Sequence, residues 1–346
     1  MIVVEQLSAG ELRDATFTAS KGEALILLGP AGSGKSTVLR ALAGFEPVLN
    51  GRVIVDGEPI TVVAPGRRPT AFVASDDSTF GHLSVSENVG FGLRVRGEST
   101  DVVRERIDDL VARVGLSGLA DRPASQLTDE GRWRTALARA VAIEPKVLLV
   151  DEPVGDPAVG LALARALAAR CEAILVAATR DRTAALSNGD RVAFIRGGRI
   201  EQVDTPPELF YRPITAFVAD YVARANLLDC TVEGIGAGVI LVRLFDKRIA
   251  VPADRRGGSN AYDFGDRALL VARPEAFRII NDGEGFPALV KHAAFLGANA
   301  AYEVEIEGQS ISIVEPDSRG GRTYPAGTAA RVGLVQEALA LLPYPA

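Results

Sequence analysis

The sequence predicts an α/β domain with a mainly parallel sheet, followed by a smaller all-β domain. Three observations predict it. The short apolar run Ala24–Leu28 enters a Gly-rich turn and then a helix-forming stretch, Ser36–Leu42, which is the strand–loop–helix unit of a parallel sheet. Lys146–Val150 carries four consecutive apolar residues after its lysine, fit for a strand buried on both faces. After Tyr221 the texture changes to short β-rich segments separated by Gly, Pro or Asp turns.

Taken in order, the helix that follows the Gly-rich turn ends near Gly44, and Arg52–Val55 and Thr61–Val63 read as strands around the Asp56-Gly57 turn. Between Asp101 and Val114, apolar residues at Val102, Val103, Ile107, Leu110, Val111 and Val114 keep helical spacing. Trp133–Ile143 reads as a helix stopped by Pro145, and Leu161–Ala169 as another. Ala173–Ala178 and Arg191–Arg196 read as strands, the latter turning at Gly197-Gly198. This alternation argues for a sheet covered by helices over residues 1–222, with a helical arm near 90–143. Beyond it, Cys230–Val232, Val239–Phe245, Arg248–Val251, Ala268–Ala272, Ala288–Ala293, Ala300–Ile306, Ser310–Val314 and Ala329–Leu334 predict one small barrel or a pair over 223–346.

Composition agrees with two domains. The chain has 346 residues, 47% apolar and 24% charged, an ordinary globular balance. Its net charge is −6 and no basic block occurs, which argues against nucleic-acid binding. No apolar run reaches the roughly 18 residues of a membrane helix, and no signal pattern follows Met1, so a soluble cytoplasmic protein is expected. Cys171 and Cys230 are isolated, and His82 and His292 are the only histidines. Neither a disulfide framework nor a Cys or His metal site is indicated.

Gly29-Pro30-Ala31-Gly32-Ser33-Gly34-Lys35-Ser36, continued by Thr37, fits G-x-x-x-x-G-K-[ST] at every fixed position. Its glycines let the backbone curl so that N–H groups and the following helix N-terminus point at phosphate. Lys35 reaches the β/γ-phosphates of a nucleotide in this reading, and Ser36 ligates Mg²⁺. Asp151, ending a buried strand, suits Mg²⁺ held through water, and Glu152 can orient or deprotonate an attacking water. The bland alternatives are a Gly-rich turn and two carboxylates capping a strand; their occurrence together disfavours both.

On these stretches the chain resembles the ATP-binding subunit of an ABC importer, in the branch with an extra C-terminal β domain that serves maltose-type sugars, polyols, polyamines and ferric iron. The resemblance also rests on His82–Asn88, Val150–Pro153, Gly198–Pro206, Ala225–Leu228, Ala272–Glu275 and Phe295–Ala298, so it runs nearly end to end. The last three resemble the marks of that branch's paired oligonucleotide/oligosaccharide-fold (TOBE) regulatory domain. Without the resemblance, Arg273 and Glu275 read as a surface ion pair of little worth.

The resemblance implies ATP and Mg²⁺ as cofactors and attachment to the cytoplasmic face of the membrane. It also implies transmembrane permease subunits and an external solute-binding protein as partners. Phe80, His82, Leu83 and Val85 fall where the family cradles a short permease helix, although Phe80, Leu83 and Val85 equally suit plain helix-domain core. The implied cargo is a small carbohydrate or polyol such as glycerol, ahead of polyamine or iron.

Several positions depart from the family. Its Leu-Ser-Gly-Gly-Gln signature, which clamps the γ-phosphate held by the opposite subunit, falls on Leu127-Thr128-Asp129-Glu130-Gly131. A carboxylate about 5 Å from a negative charge costs about 3 kcal/mol at an effective dielectric of 20, comparable to one hydrogen bond to a charged group. The glutamine linking Mg²⁺ to the permease contact falls at Ser75, and the γ-phosphate-sensing histidine at Arg180. An arginine can meet phosphate but cannot shuttle a proton. Gly155-Asp156-Pro157-Ala158 replaces the usual Ser-Asn-Leu-Asp turn, and the hairpin between Leu7 and Leu12 lacks the adenine-stacking aromatic.

A homodimer would place all these lesions in both ATP sites, so the sequence reading is a degenerate subunit paired with an intact ATP-binding paralogue. An ordinary homodimeric ATPase and a non-hydrolysing scaffold remain alternatives. No Asn-Lys-x-Asp guanine motif supports a GTPase.

Overall fold

A computed structural model describes residues 1–75, 79–236, 238–253, 262–280, 285–317, 320–321 and 323–344 of the chain. The chain divides into two units, Met1–Pro206 and Pro207–Ala346. This division precedes the change of texture at Tyr221, because Ala219 and Ala223 pack on Leu269, Val271 and Leu342 of the second unit.

In the first unit, β1 (Ile2–Ala9) and β2 (Leu12–Ala19) form a hairpin, followed by β3 (Ala24–Leu28) and α1 (Lys35–Ala43). Then come β4 (Asn50–Val55), β5 (Glu58–Pro59), β6 (Thr70–Val73), and the arm helices α2 (Val85–Val95), α3 (Thr100–Arg113) and α4 (Asp129–Ala142). The unit closes with β7 (Val147–Asp151), α5 (Pro157–Arg170), β8 (Ile174–Thr179), α6 (Arg182–Asn188), β9 (Arg191–Arg196) and β10 (Arg199–Asp204). One sheet has the order β10-β9-β3-β8-β7-β6, parallel except where β10 returns beside β9. A second sheet, β2-β1-β4-β5, is antiparallel. Val38, Leu39 and Leu42 of α1 are buried between Leu25 and Leu27 of the first sheet and Ile2, Leu7 and Leu12 of the second.

Four expectations need correction. Thr61–Val63 is a turn with Val62 fully outward, because the Thr61 hydroxyl itself accepts the Val53 N–H at 2.9 Å in place of a strand carbonyl. α4 starts at Asp129 rather than Trp133, since Thr128 Oγ1 accepts the Gly131 N–H at 3.1 Å and caps the first turn. Likewise α5 starts at Pro157 rather than Leu161, where Asp156 accepts from the N–H groups of Ala158 and Val159 and proline suits the first turn. The arm begins at Val85, ahead of residue 90, behind a reciprocal Ser84/Glu87 cap.

Among the described residues the second unit contains α7 (Pro206–Tyr211), whose first residue falls at the division, α8 (Ala216–Ala223) and ten strands. The strands are β11 (Asn226–Gly236), β12 (Val239–Leu244), β13 (Lys247–Pro252), β14 (Arg267–Ala272), β15 (Phe277–Ile280), β16 (Phe286–Phe295), β17 (Asn299–Ile306), β18 (Gln309–Pro316), β19 (Ala329–Leu334) and β20 (Leu339–Pro343). They form two five-stranded antiparallel sheets, β13-β12-β11-β14-β20 and β15-β19-β16-β17-β18. Val232, Val242 and Leu270 of the first sheet share one core with Phe277, Val304 and Ile313 of the second. β15 and β20 were not expected from the sequence. Arg273 is also no surface ion pair: it is buried, its Nη2 donates to the Ala338 carbonyl at 2.5 Å, and its guanidinium lies 4.6 Å from the Tyr211 ring centroid and 5.4 Å from that of Phe210. That contact fixes α7 on the β unit.

Candidate functional site

The Gly29–Thr37 loop joins fully buried β3 to α1 at the carboxyl end of the parallel sheet. Gly32 and Gly34 take φ values of +70° and +101°, backbone that side chains resist, so glycine is required for the curl. A Cβ on Gly29 would stand 2.1 Å from the Ile195 carbonyl oxygen. The loop is therefore seated against β9 with no room for a larger residue.

Lys35 is buried, and its Nζ donates to the carbonyls of Gly29 at 2.9 Å and Pro30 at 2.8 Å and, at 3.4 Å, to Ser33 Oγ. Burial pulls its ammonium below the ordinary lysine value; Glu152 and Asp151 oppose that pull and Arg180 adds to it. Ser36 Oγ donates to Asp151 Oδ1 at 3.0 Å. Burial pushes the Asp151 carboxyl above its usual range despite that bond. A desolvated carboxylate beside a serine hydroxyl gains from a hard cation, so the two residues fit Mg²⁺, with nucleotide and water oxygens completing its shell. Bound there, Mg²⁺ would neutralise phosphate charge, while Lys35 and the loop amides hold the phosphates in place. The sequence-derived loop, Ser36, Asp151 and Glu152 thus converge at one sheet edge.

Glu152 and Arg180 follow neighbouring parallel strands in which Asp151 pairs with Ala178, and the Glu152 N–H donates to the Ala178 carbonyl at 3.1 Å. Their side chains meet. Arg180 donates to the single oxygen Glu152 Oε2 from Nε at 3.0 Å and from Nη2 at 2.9 Å. Ser75 lies exposed just after β6.

Thr128, Asp129 and Glu130 open α4. Asp129 is paired with Arg132, and Glu130 with Arg134 at 2.7 Å. A helix N-terminus also favours acidic residues. The negative charge expected at this signature is therefore partly neutralised inside the chain, and the repulsion of about 3 kcal/mol is an upper figure. Glu130 packs against Gly155, whose φ is +92° and where an added Cβ would stand 3.2 Å from the carboxyl carbon.

The Phe80–Val85 segment is held by Asn88, which is fully buried. Its Oδ1 accepts the Phe80 N–H at 2.9 Å, and its Nδ2 donates to the carbonyls of Phe80, Leu83 and Ser84. Phe80 packs tilted against Phe91, ring centroids 4.6 Å apart, with the Arg139 guanidinium 4.8 Å over its ring. Phe80 and His82 are exposed and Leu83 is half-buried, whereas Val85 is fully buried and serves the arm's core rather than a contact surface. Sequence reading missed Asn88 and Arg139 as organisers of this segment, and missed Arg132 and Arg134 despite their three- and four-residue spacing from the signature acids.

Residues 12–155 match the ABC transporter family, and residues 270–342 match the TOBE domain. The spermidine/putrescine import ATP-binding protein PotA of Frankia alni is 36% identical over 86% of this chain and 68% of its own length. The Fe(3+) ions import ATP-binding protein FbpC of Rhizobium etli is 32% identical over 95% of this chain and 92% of its own. The chain belongs to the ABC transporter ATP-binding family. This ABC importer subunit combines a P-loop nucleotide domain with a β-rich TOBE domain, which fixes the fold class expected from sequence. Among solved structures, cbiO1 from Clostridium perfringens, part of the ABC transporter complex cbiONQ, has a TM-score of 0.56 and 27% identity, covering 64% of this ABC subunit and 92% of that chain. The two curated relatives carry polyamine and ferric-ion names, and the sugar or polyol cargo expected from sequence has no counterpart in them. Among the described residues no helix is long and apolar enough to cross a membrane.

Proposed function

We propose that this chain is the energy-coupling ATPase subunit of an importer for a small cationic solute, in the polyamine or ferric-iron class. The convergence of Lys35, Ser36, Asp151 and Glu152 at the sheet's carboxyl edge carries the nucleotide part of the reading. The names of relatives that align along both units support the cargo class. In this reading the chain sits on the cytoplasmic face of the membrane, meets its permease through Phe80, His82 and Leu83, and depends on an external binding protein for cargo.

The departures at Ser75, Asp129, Glu130 and Arg180 support pairing with a second, intact ATP-binding subunit. Each composite site then carries fewer defects than it would in a homodimer. The homodimer stays a second reading on one observation: Arg132 and Arg134 neutralise Asp129 and Glu130 from within. Purifying the complex assembled in its own host separates the two. Two distinct ATP-binding chains are expected, with uptake of radiolabelled putrescine or ferric iron lost on deletion of this chain. A complex with this chain alone and full ATP-driven uptake would overturn the pairing, and uptake of glycerol instead would overturn the cargo class.

A further inference from the structure

The pairing of Arg180 with Glu152 has a chemical consequence. In hydrolysis, a water oxygen attacks the γ-phosphorus and the bond to the β–γ bridging oxygen breaks. A base takes the water's proton, and ADP and inorganic phosphate leave. Glu152 is the carboxylate placed to be that base. Yet both donors converge on one of its oxygens, Oε2, from the end of the adjacent strand. The pairing is built into the backbone. Asp151 and Ala178 are in register, so Glu152 lies level with Thr179, and Arg180 follows at the next position. Glu152 also takes φ +39°, a left-handed conformation unusual for glutamate, which fixes the direction its side chain leaves. On the other side, Asp181 caps α6 by accepting the Ala184 N–H at 2.6 Å, and its own N–H donates to Thr179 Oγ1 at 3.0 Å, so the backbone on either side of Arg180 is held. An arginine keeps its charge throughout and cannot hand the proton onward.

We propose that Arg180 is a positioning residue that holds Glu152 against β8 and so restrains it as proton acceptor in this chain's own ATP site, which binds nucleotide and turns it over slowly. The proposal rests on the reading of the chain as an ATPase subunit. It assigns the slow step to a side chain inside this chain rather than to the signature facing it from the partner.

The test is a double-substitution cycle in the assembled transporter, with phosphate release and displacement of trinitrophenyl-ATP as readouts. Arg180→His is expected to raise kcat by about tenfold or more while nucleotide affinity stays within about threefold. Glu152→Gln is expected to lower turnover at least tenfold more in the Arg180→His chain than in the native one, because only there is the carboxylate in full use. Arg180→Gln, which removes the charge and keeps a long side chain, is expected to act in the same direction and guards against a local folding failure of the histidine variant. Equal losses on Glu152→Gln in both backgrounds overturn the proposal. So does a loss of affinity beyond threefold in both Arg180 variants, which would make Arg180 a phosphate ligand. A native chain that binds no trinitrophenyl-ATP defeats the ATPase reading itself, a separate outcome.

Discussion

Lys35 bonds within its own loop, to Gly29, Pro30 and Ser33, and its charge is held in a desolvated place that phosphate oxygens would relieve. Lys35→Ala is therefore expected to weaken ATP binding by at least roughly tenfold, the scale of one hydrogen bond to a charged group. Isothermal calorimetry checks it, and unchanged affinity would remove Lys35 from the nucleotide site. The loop was legible because its chemistry is local: every fixed position lies within eight consecutive residues, and the strand before and the helix after can be read beside it. The acidic signature was legible as a departure but not in its charge balance. Arg132 and Arg134 stand one turn along the same helix, at a spacing that sequence displays, and they alter the magnitude of the repulsion rather than its sign. The contact between Arg180 and Glu152 was not legible at all. Parallel strands bring together residues 28 apart, and the register that does so is a property of the sheet.

At the scale of elements, buried strands announced themselves by composition, while boundaries were decided by side chains that bond to backbone. Thr128 and Asp156 moved two helix starts upstream, and the Thr61 hydroxyl replaced an expected strand with a turn. β15 and β20 escaped notice because each is short and only partly buried, so each lacks a long apolar signature. The β4–β5 turn shows how one residue ties elements together: Asp56 accepts from the chain's amino terminus at 2.6 Å and pairs with Lys146, just before β7, at 2.8 Å. Its bond to Lys146, then that to the terminus, lowers the Asp56 carboxyl from 3.8 to about 2. A depressed acid stabilises the fold above its unfolded value and loses that contribution as pH falls through about 2. The group is partly exposed, so solvent screening leaves less than about 1 kcal/mol. Asp56→Asn should thus lower the melting temperature slightly at neutral pH, with the difference from the native chain vanishing toward pH 2. A difference that persists unchanged in acid would show that the pair does not contribute.

For the whole molecule, the division at Pro206 follows from where apolar side chains go. The second unit closes its own core across two sheets, with Phe277, Val242, Leu270 and Val304 among its fully buried members, and the Arg273 contact with Phe210 and Tyr211 retains α7. Chains of this size bury enough surface to fold alone. Residues 207–346 expressed without the rest are expected to give a β-type circular dichroism spectrum and one cooperative melting transition. The sharper form of the test uses Phe277, which is 1% exposed. Truncating a buried phenylalanine to alanine costs roughly 3–5 kcal/mol. If the unit is autonomous, Phe277→Ala should remove the same free energy from the fragment as from the corresponding transition of the full chain, within the few tenths of a kcal/mol expected for independent sites. A fragment that melts without cooperativity, or a loss that differs by more than about 1 kcal/mol between the two settings, would mean that the β core is completed by the nucleotide unit.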